Sequence, residues 1–214
     1  MVTSLRRGLY AVTPDWDDTA RLLATTSAII EGGAVCVQYR HKHADAALRR
    51  EQAQAVAALC RAHGVCCIVN DDLALARAVG ADGVHLGRED GACAAARREA
   101  GTDFIIGVSC YDDFARAETA VADGASYVAF GAVFASPTKP AAVAAPLALF
   151  ARARHALAVP LVGIGGISAA NVEALVAAGA DLAAVITDIY LAPDPRAQAR
   201  RIADAFASPA SNPL

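Results

Sequence analysis

Two carboxylates stand just past neighbouring apolar runs. Asp71 follows Val65-Cys66-Cys67-Ile68-Val69-Asn70, and Asp90 comes soon after Gly83-Val84-His85-Leu86. If those runs are adjacent parallel strands, the loops that follow bring both carboxylates to one rim, where hard oxygen donors suit Mg²⁺. That ion is commonly held by one or two carboxylates, with substrate phosphate oxygens completing its shell. The plainer role for either residue is to cap the next helix. The segment Val37-Gln38-Tyr39-Arg40-His41-Lys42 favours the metal. Gln38, Arg40 and Lys42 alternate, so an extended backbone points all three the same way. An amide, a guanidinium and an ammonium on one side suit a diphosphate. Asp72 reads as a helix cap instead. His41 and His43 have the spacing of some metal sites, but without a third nearby ligand they read as surface histidines.

A second group lies further along. Ser136, Thr138 and Lys139 fall in a Pro- and Ala-rich loop able to fold over a ligand. Of 19 basic residues only Lys42 and Lys139 are lysines. In an arginine-favouring chain, both were placed where a compact, flexible ammonium does what a planar fork cannot. Gly165 and Gly166 can expose backbone N–H groups to an anion, with Ser168 capping the helix that follows, and Thr187 ends the last apolar run.

These residues need elements to position them. Candidate strands are 9–13, 35–40, 65–70, 83–86, 104–109, 127–131, 160–165 and 182–187, each followed by a helical pattern: 17–31, 45–63, 72–79, 91–100, 112–123, 146–157, 168–178 and 194–207. Eight such units with near-continuous apolar strands predict an α/β fold, a single (β/α)8 TIM barrel over residues 1–207, with an open doubly wound sheet as the competitor. Three turns of the form Gly-Ala-Asp/Ser (80–82, 124–126, 179–181) look like helix ends entering strands. Residues 208–214 are expected to be a disordered tail. In a barrel, Gln38, Arg40, Lys42, Asn70, Asp71, Asp90, Ser109, Ser136, Thr138, Lys139, Gly166 and Thr187 share the C-terminal rim, whereas Asp82 belongs at the opposite end.

Composition narrows the partners. Apolar residues make up 56% and charged residues 19% of the 214, with a net charge of −3. That balance supports a large core and argues against nucleic-acid or anionic-membrane binding. No apolar run is long enough to span a bilayer, and the N-terminal stretch lacks the apolar region of a signal peptide. The six cysteines show no CxxC pair, so they read as reduced, packed thiols of a cytoplasmic protein, with Cys66 and Cys67 facing opposite ways.

At these residues the chain resembles thiamine-phosphate synthase. The matching motifs run in order from residue 9 to 189: LYAVT, GGAVCVQYRHK, IVNDD, GADGVHLGRED, IIGVS, YVAFGAVFASPTK, GIGGIS and VITDI. The resemblance implies a Mg²⁺-dependent transferase that joins a hydroxymethylpyrimidine diphosphate to a thiazole phosphate and releases diphosphate. It implies that Gln38, Arg40, Lys42 and Asn70 bind the pyrimidine substrate, with Ser109 and Lys139 as further contacts, and that Asp71 and Asp90 hold the metal. Ser136, Thr138, Gly166, Ile186 and Thr187 match thiazole-phosphate contacts. Lys139, Ser109 and Arg40 are the candidate catalytic residues. Pro14 stands where an acidic residue is common, Asp72 replaces a frequent arginine, Ala132 a frequent proline or histidine, and Thr187 a frequent serine. The partners implied are small molecules, with a homo-oligomer left open. Two alternatives share the fold: a thiazole tautomerase-like isomerase and a catalytically silent regulatory barrel. Neither needs a second, metal-linked anion site, so Mg²⁺-dependent binding of diphosphate separates them from the synthase.

Overall fold

Runs of four to seven mostly apolar residues are too short for buried helices, and the glycines and aspartates that bracket them break any longer pattern. The structure, a computed structural model, describes residues 5–87, 92–135 and 144–207. In it the runs become β1 (Gly8–Val12), β2 (Ala34–Tyr39), β3 (Cys66–Asn70), β4 (Gly83–Leu86), β5 (Ile105–Tyr111), β6 (Tyr127–Gly131), β7 (Leu161–Ile164) and β8 (Leu182–Val185). Every strand pairs in parallel with its chain neighbours, and β8 returns to β1 with Tyr10 opposite Ala184. That closing ladder rules out the open sheet.

The helices are α1 (Thr19–Glu31), α2 (Ala46–His63), α3 (Leu73–Ala78), α4 (Cys93–Ala100), α5 (Phe114–Ala122), α6 (Leu147–Ala156), α7 (Val172–Ala177), α8 (Thr187–Tyr190) and α9 (Pro195–Asp204). Asp18, Asp45, Asp72, Asp113 and Asp194 each accept a hydrogen bond from the backbone N–H three residues on, at the starts of α1, α2, α3, α5 and α9. Each satisfies a donor that the first turn of a helix leaves open. Asp72 is therefore the expected cap. Two expectations need correction. Helix α7 starts at Val172, not 168, because Ser168 lies in the preceding turn, where its Oγ accepts from Ala170 N and Asn171 Oδ1 takes the Ser168 N–H. Thr187, expected to end a strand, opens the short helix α8.

The Gly-Ala-Asp/Ser turns do more than end helices. Gly80, Gly124 and Gly179 all have positive φ, and the alanine after each is buried. The third residue then reaches sideways: Asp82, Ser126 and Asp181 accept the N–H groups of Cys67, Ile106 and Leu161 at the starts of β3, β5 and β7. These turns clamp the N-terminal end of the barrel, where Asp82 was expected. The opposite end is left for chemistry.

Two apolar layers result. The larger lies between strands and helices; the smaller fills the barrel interior with Tyr10, Val12, Cys36, Cys66, Ile68, Ile105, Tyr127, Ala129, Val162, Leu182 and Ala184. Cys66 points inward and Cys67 outward, and all six cysteines are free and buried. Burial pushes the Cys110 thiol up to about 12, which keeps it protonated and unreactive near neutrality. Gly107 makes room for Tyr127: a Cβ added there would overlap the phenol ring. Gly107→Ala is expected to cost about 1–3 kcal/mol through overpacking, read as a lower urea midpoint at unchanged m-value. A midpoint equal to that of the parent chain would show that the ring moves aside freely. Among the described residues no helix is long and apolar enough to cross a membrane.

Candidate active site

Strand alternation decides which side chains enter the barrel. Inward positions on β2 are Cys36 and Gln38; on β3, Cys66, Ile68 and Asn70; on β4, Gly83 and His85; on β5, Ile105, Gly107 and Ser109. The last of each set is polar and sits towards the C-terminal end of its strand. The core is thus apolar below and hydrogen-bonding above.

Gln38 is buried and donates from Nε2 to Tyr10 Oη at 2.9 Å. Tyr10 Oη lies 2.8 Å from Tyr127 Oη, which is 2.9 Å from His85 Nδ1. His85 Nε2 is 2.8 Å from Ser109 Oγ. Two predicted substrate residues on different strands are therefore joined through the barrel. Burial pushes both phenols well above their ordinary range, so they stay protonated. Tyr10, His85 and Tyr127 are not singled out by the sequence reading. The available signal was a polar side chain at an inward position of an apolar strand, which core tyrosines share.

Beyond Tyr39 the chain leaves the sheet, so the strict alternation of Gln38, Arg40 and Lys42 stops there. A carboxylate gathers the last two instead. Asp15 accepts from Arg40 Nη1 at 3.1 and 3.2 Å and from the Lys42 backbone N–H at 2.8 Å. Thr13 Oγ1 accepts from Arg40 N at 2.8 Å and donates to Arg40 O at 2.9 Å, fixing the backbone between them. Burial would raise the Asp15 carboxyl, but the Lys42 N–H and the Arg40 guanidinium outweigh it and hold it below the usual aspartate range. Pro14 departs from the family pattern, and the acid one residue later carries this contact.

His41 corrects an expectation: it is buried rather than a surface residue. Its Nδ1 accepts from Ala44 N at 3.0 Å and its Nε2 lies 3.0 Å from Asp17 Oδ1, so it shapes the turn. His43 is exposed as expected.

Lys42, Asn70 and Asp71 line one hollow of about 220 Å³ with Tyr39, Arg49 and Val69. Asp71 is one of two non-glycine residues with positive φ among the described residues, at 64°, and its N–H donates to His85 O at 2.8 Å. A hard cation fits this oxygen donor beside two cationic side chains and room for an anion. Asp90, the expected second ligand, lies outside the described residues, as do Ser136, Thr138 and Lys139. Among the described residues no cluster of three or more metal-ligating side chains occurs.

Across the rim, Gly166 has φ 63°, and a Cβ there would come within 2.5 Å of Phe134 O and 2.7 Å of Ala135 O. Only glycine lets the β6 and β7 loops meet so closely. Ile186 continues the inward face of β8 and Thr187 follows it into α8, where Asp188 Oδ2 accepts from Ala169 N and Gln198 Nε2. The loops after β7 and β8 are thereby held together.

Fold and site define a class: a (β/α)8 barrel with a mixed-charge rim over a hydrogen-bonded interior. The chain belongs to the thiamine monophosphate synthase family, whose model matches residues 9–189. It is 54% identical over 201 residues to a thiamine-phosphate synthase from Azoarcus sp. (strain BH72), covering 94% of this chain and 98% of that one. A thiamine-phosphate synthase from Chromobacterium violaceum is 57% identical over 199 residues, with 93% and 96% covered. Among solved structures, the thiamine phosphate pyrophosphorylase from Pyrococcus furiosus superposes with a TM-score of 0.83 at 30% identity, covering 96% of each chain.

Proposed function

We propose that the chain joins 4-amino-2-methyl-5-hydroxymethylpyrimidine diphosphate to 4-methyl-5-(2-phosphoethyl)thiazole, or its carboxylated form, to give thiamine monophosphate and diphosphate. The observation that carries this reading is the turn after β2. There Asp15 accepts from the Arg40 guanidinium and from the Lys42 backbone N–H, and Lys42 lines one hollow with Asn70 and Asp71, the cation and carboxylate that a diphosphate with a counter-ion would need. The family membership and the names of its relatives agree.

Arg40 and Lys42 would bind the diphosphate, with Lys139 and Ser109 as further donors, while Gln38 and Asn70 hold the pyrimidine. Ser136, Thr138, Gly166, Ile186 and Thr187 would fix the thiazole phosphate. Asp71 and Asp90 would hold Mg²⁺, which neutralises charge on the diphosphate when bound. The bond between the pyrimidine methylene carbon and the diphosphate oxygen breaks, and the oxygen keeps the electron pair. The electron-rich aminopyrimidine supports the positive carbon. The thiazole nitrogen then gives its lone pair to that carbon, so no protein nucleophile is needed. Arg40, Lys42 and Lys139 stabilise the charge that builds on the departing group, and fixing both substrates supplies proximity. Phosphorylated soluble substrates and buried free thiols suit the cytoplasm, with small molecules as the partners and no role for nucleic acid or membrane; a homo-oligomer is compatible.

The test is diphosphate release from the two substrates with and without Mg²⁺. Release that needs both substrates and the metal supports the synthase. Silence from a folded protein that still binds thiazole phosphate overturns it in favour of an isomerase or a regulatory barrel.

A further inference from the structure

With a neutral His85, the buried chain from Gln38 to Ser109 has only two self-consistent proton orders. Each phenol carries one proton, and a neutral imidazole carries one N–H. In the first order Gln38 Nε2 donates to Tyr10, Tyr10 donates to Tyr127, and Tyr127 donates to His85 Nδ1. His85 is then the Nε2–H tautomer and donates to Ser109, which leaves the Ser109 proton for the open site. In the second order every link reverses. Ser109 donates inward, and Gln38 turns its carbonyl to Tyr10 and its NH₂ to the site.

The two ends are therefore tied. Ser109 can offer a proton to a ligand only while Gln38 offers a lone pair, and the converse also holds. The structure shows the first order at Gln38. A rim that gathers Arg40 and Lys42 favours an anion, and an anion is served by a Ser109 that donates.

We propose that Tyr10, Tyr127 and His85 are positioning residues that lock Gln38 as an acceptor and Ser109 as a donor. The site thereby selects a heterocycle that offers an N–H to Gln38. This rests on the synthase reading for the identity of the ligand, an aminopyrimidine diphosphate. A 4-oxo pyrimidine diphosphate would set its carbonyl against the Gln38 carbonyl, or force the whole chain to reverse. The interior is built to hold the relay rigid. Gly107 clears space for the Tyr127 ring, and His85 stacks on that ring at 5.6 Å between centroids and 24° between planes.

Two measurements test this. In ¹⁵N-histidine spectra of the whole protein, His85, assigned with His85→Gln, is expected as the Nε2–H tautomer; the Nδ1–H tautomer or the doubly protonated imidazolium overturns the proposal. The second measurement is the ratio of kcat/KM for the 4-amino over the 4-oxo pyrimidine diphosphate. It is expected to fall on the order of tenfold in Tyr127→Phe and in Tyr10→Phe, since a severed relay no longer holds Gln38 to one face. The KM for thiazole phosphate should move less than about twofold, because that substrate does not meet the relay. An unchanged ratio in the folded variants overturns the proposal, and if one variant does not fold the other decides. If the parent chain turns over neither pyrimidine, the synthase reading fails, and the tautomer still settles the state of the relay.

Discussion

Replacing Asp71 with asparagine lowers kcat/KM for the pyrimidine diphosphate by on the order of 10²–10³, because several kcal/mol of charge stabilisation on the diphosphate depend on the metal this carboxylate would hold. Asparagine is the cleaner probe. Asp71 has φ 64°, a conformation asparagine tolerates and alanine does not, so Asp71→Ala would mix strain with lost charge. Strain of this kind tends to persist where surrounding structure over-determines it, and here the Asp71 N–H is held by His85 O. Steady-state kinetics at a Mg²⁺ concentration that just saturates the parent chain give the number. Adding metal should recover part of the loss by mass action, since the remaining ligands still bind weakly.

Asp72 supplies the contrast. Its carboxylate accepts from Leu75 N at 2.8 Å, so Asp72→Ala should cost about 1 kcal/mol of stability as a lost cap and far less of the turnover. Lys139→Ala is expected to fall with Asp71→Asn, because a charge that serves only the departing diphosphate lowers kcat rather than stability. Near-normal turnover in both variants would sink the mechanism.

Why some of this was legible and some was not follows from local physics. Strands β4 and β6 have the bounds the sequence predicts, because a Gly-Ala-Asp or Gly-Ala-Ser turn marks the start of each. Helix α7 starts later than its sequence pattern because Ser168 and Asn171 satisfy each other in a turn that carries the same residue types as a helix start. Ile186 continues the apolar run of β8 and the β-branched Thr187 suits a strand as well, so the first charge, Asp188, comes too late to mark where the strand stops and α8 starts. Charged rim residues could be read from sequence because they have no place in an apolar strand. The relay could not, because a tyrosine in a parallel strand is ordinarily core, and only three-dimensional closure sets Tyr10, Tyr127 and His85 tip to tip. His41 shows the same limit from the other side: alternation says nothing about a residue just past the strand, and the Asp15 turn buries it.

Arg40→Ala is the second large effect, expected at about 10² in kcat/KM for the pyrimidine diphosphate, comparable to removing one strong donor from a preorganised charge site. The geometry makes lysine a poor substitute. Arg40 gives Nη1 to Asp15, while the planar fork has Nε and Nη2 left for a phosphate. A lysine at this position has one ammonium for both tasks, so Arg40→Lys should recover little. Asp15 acts through the residues it holds. Asp15→Ala should cost about tenfold in the parent chain and clearly less in the Arg40→Ala background, a coupling that a double-mutant cycle reads directly. Additive effects would mean that Asp15 matters only through the Lys42 backbone. The pH dependence has a definite sign. A carboxyl held below its usual range contributes stability that is fully present above its unfolded value, near 4, and is lost only as pH falls through the lower folded value. A fall in turnover between about pH 5 and 7 therefore reports some other group, and Asp15→Asn should leave that limb of the profile in place while lowering its plateau.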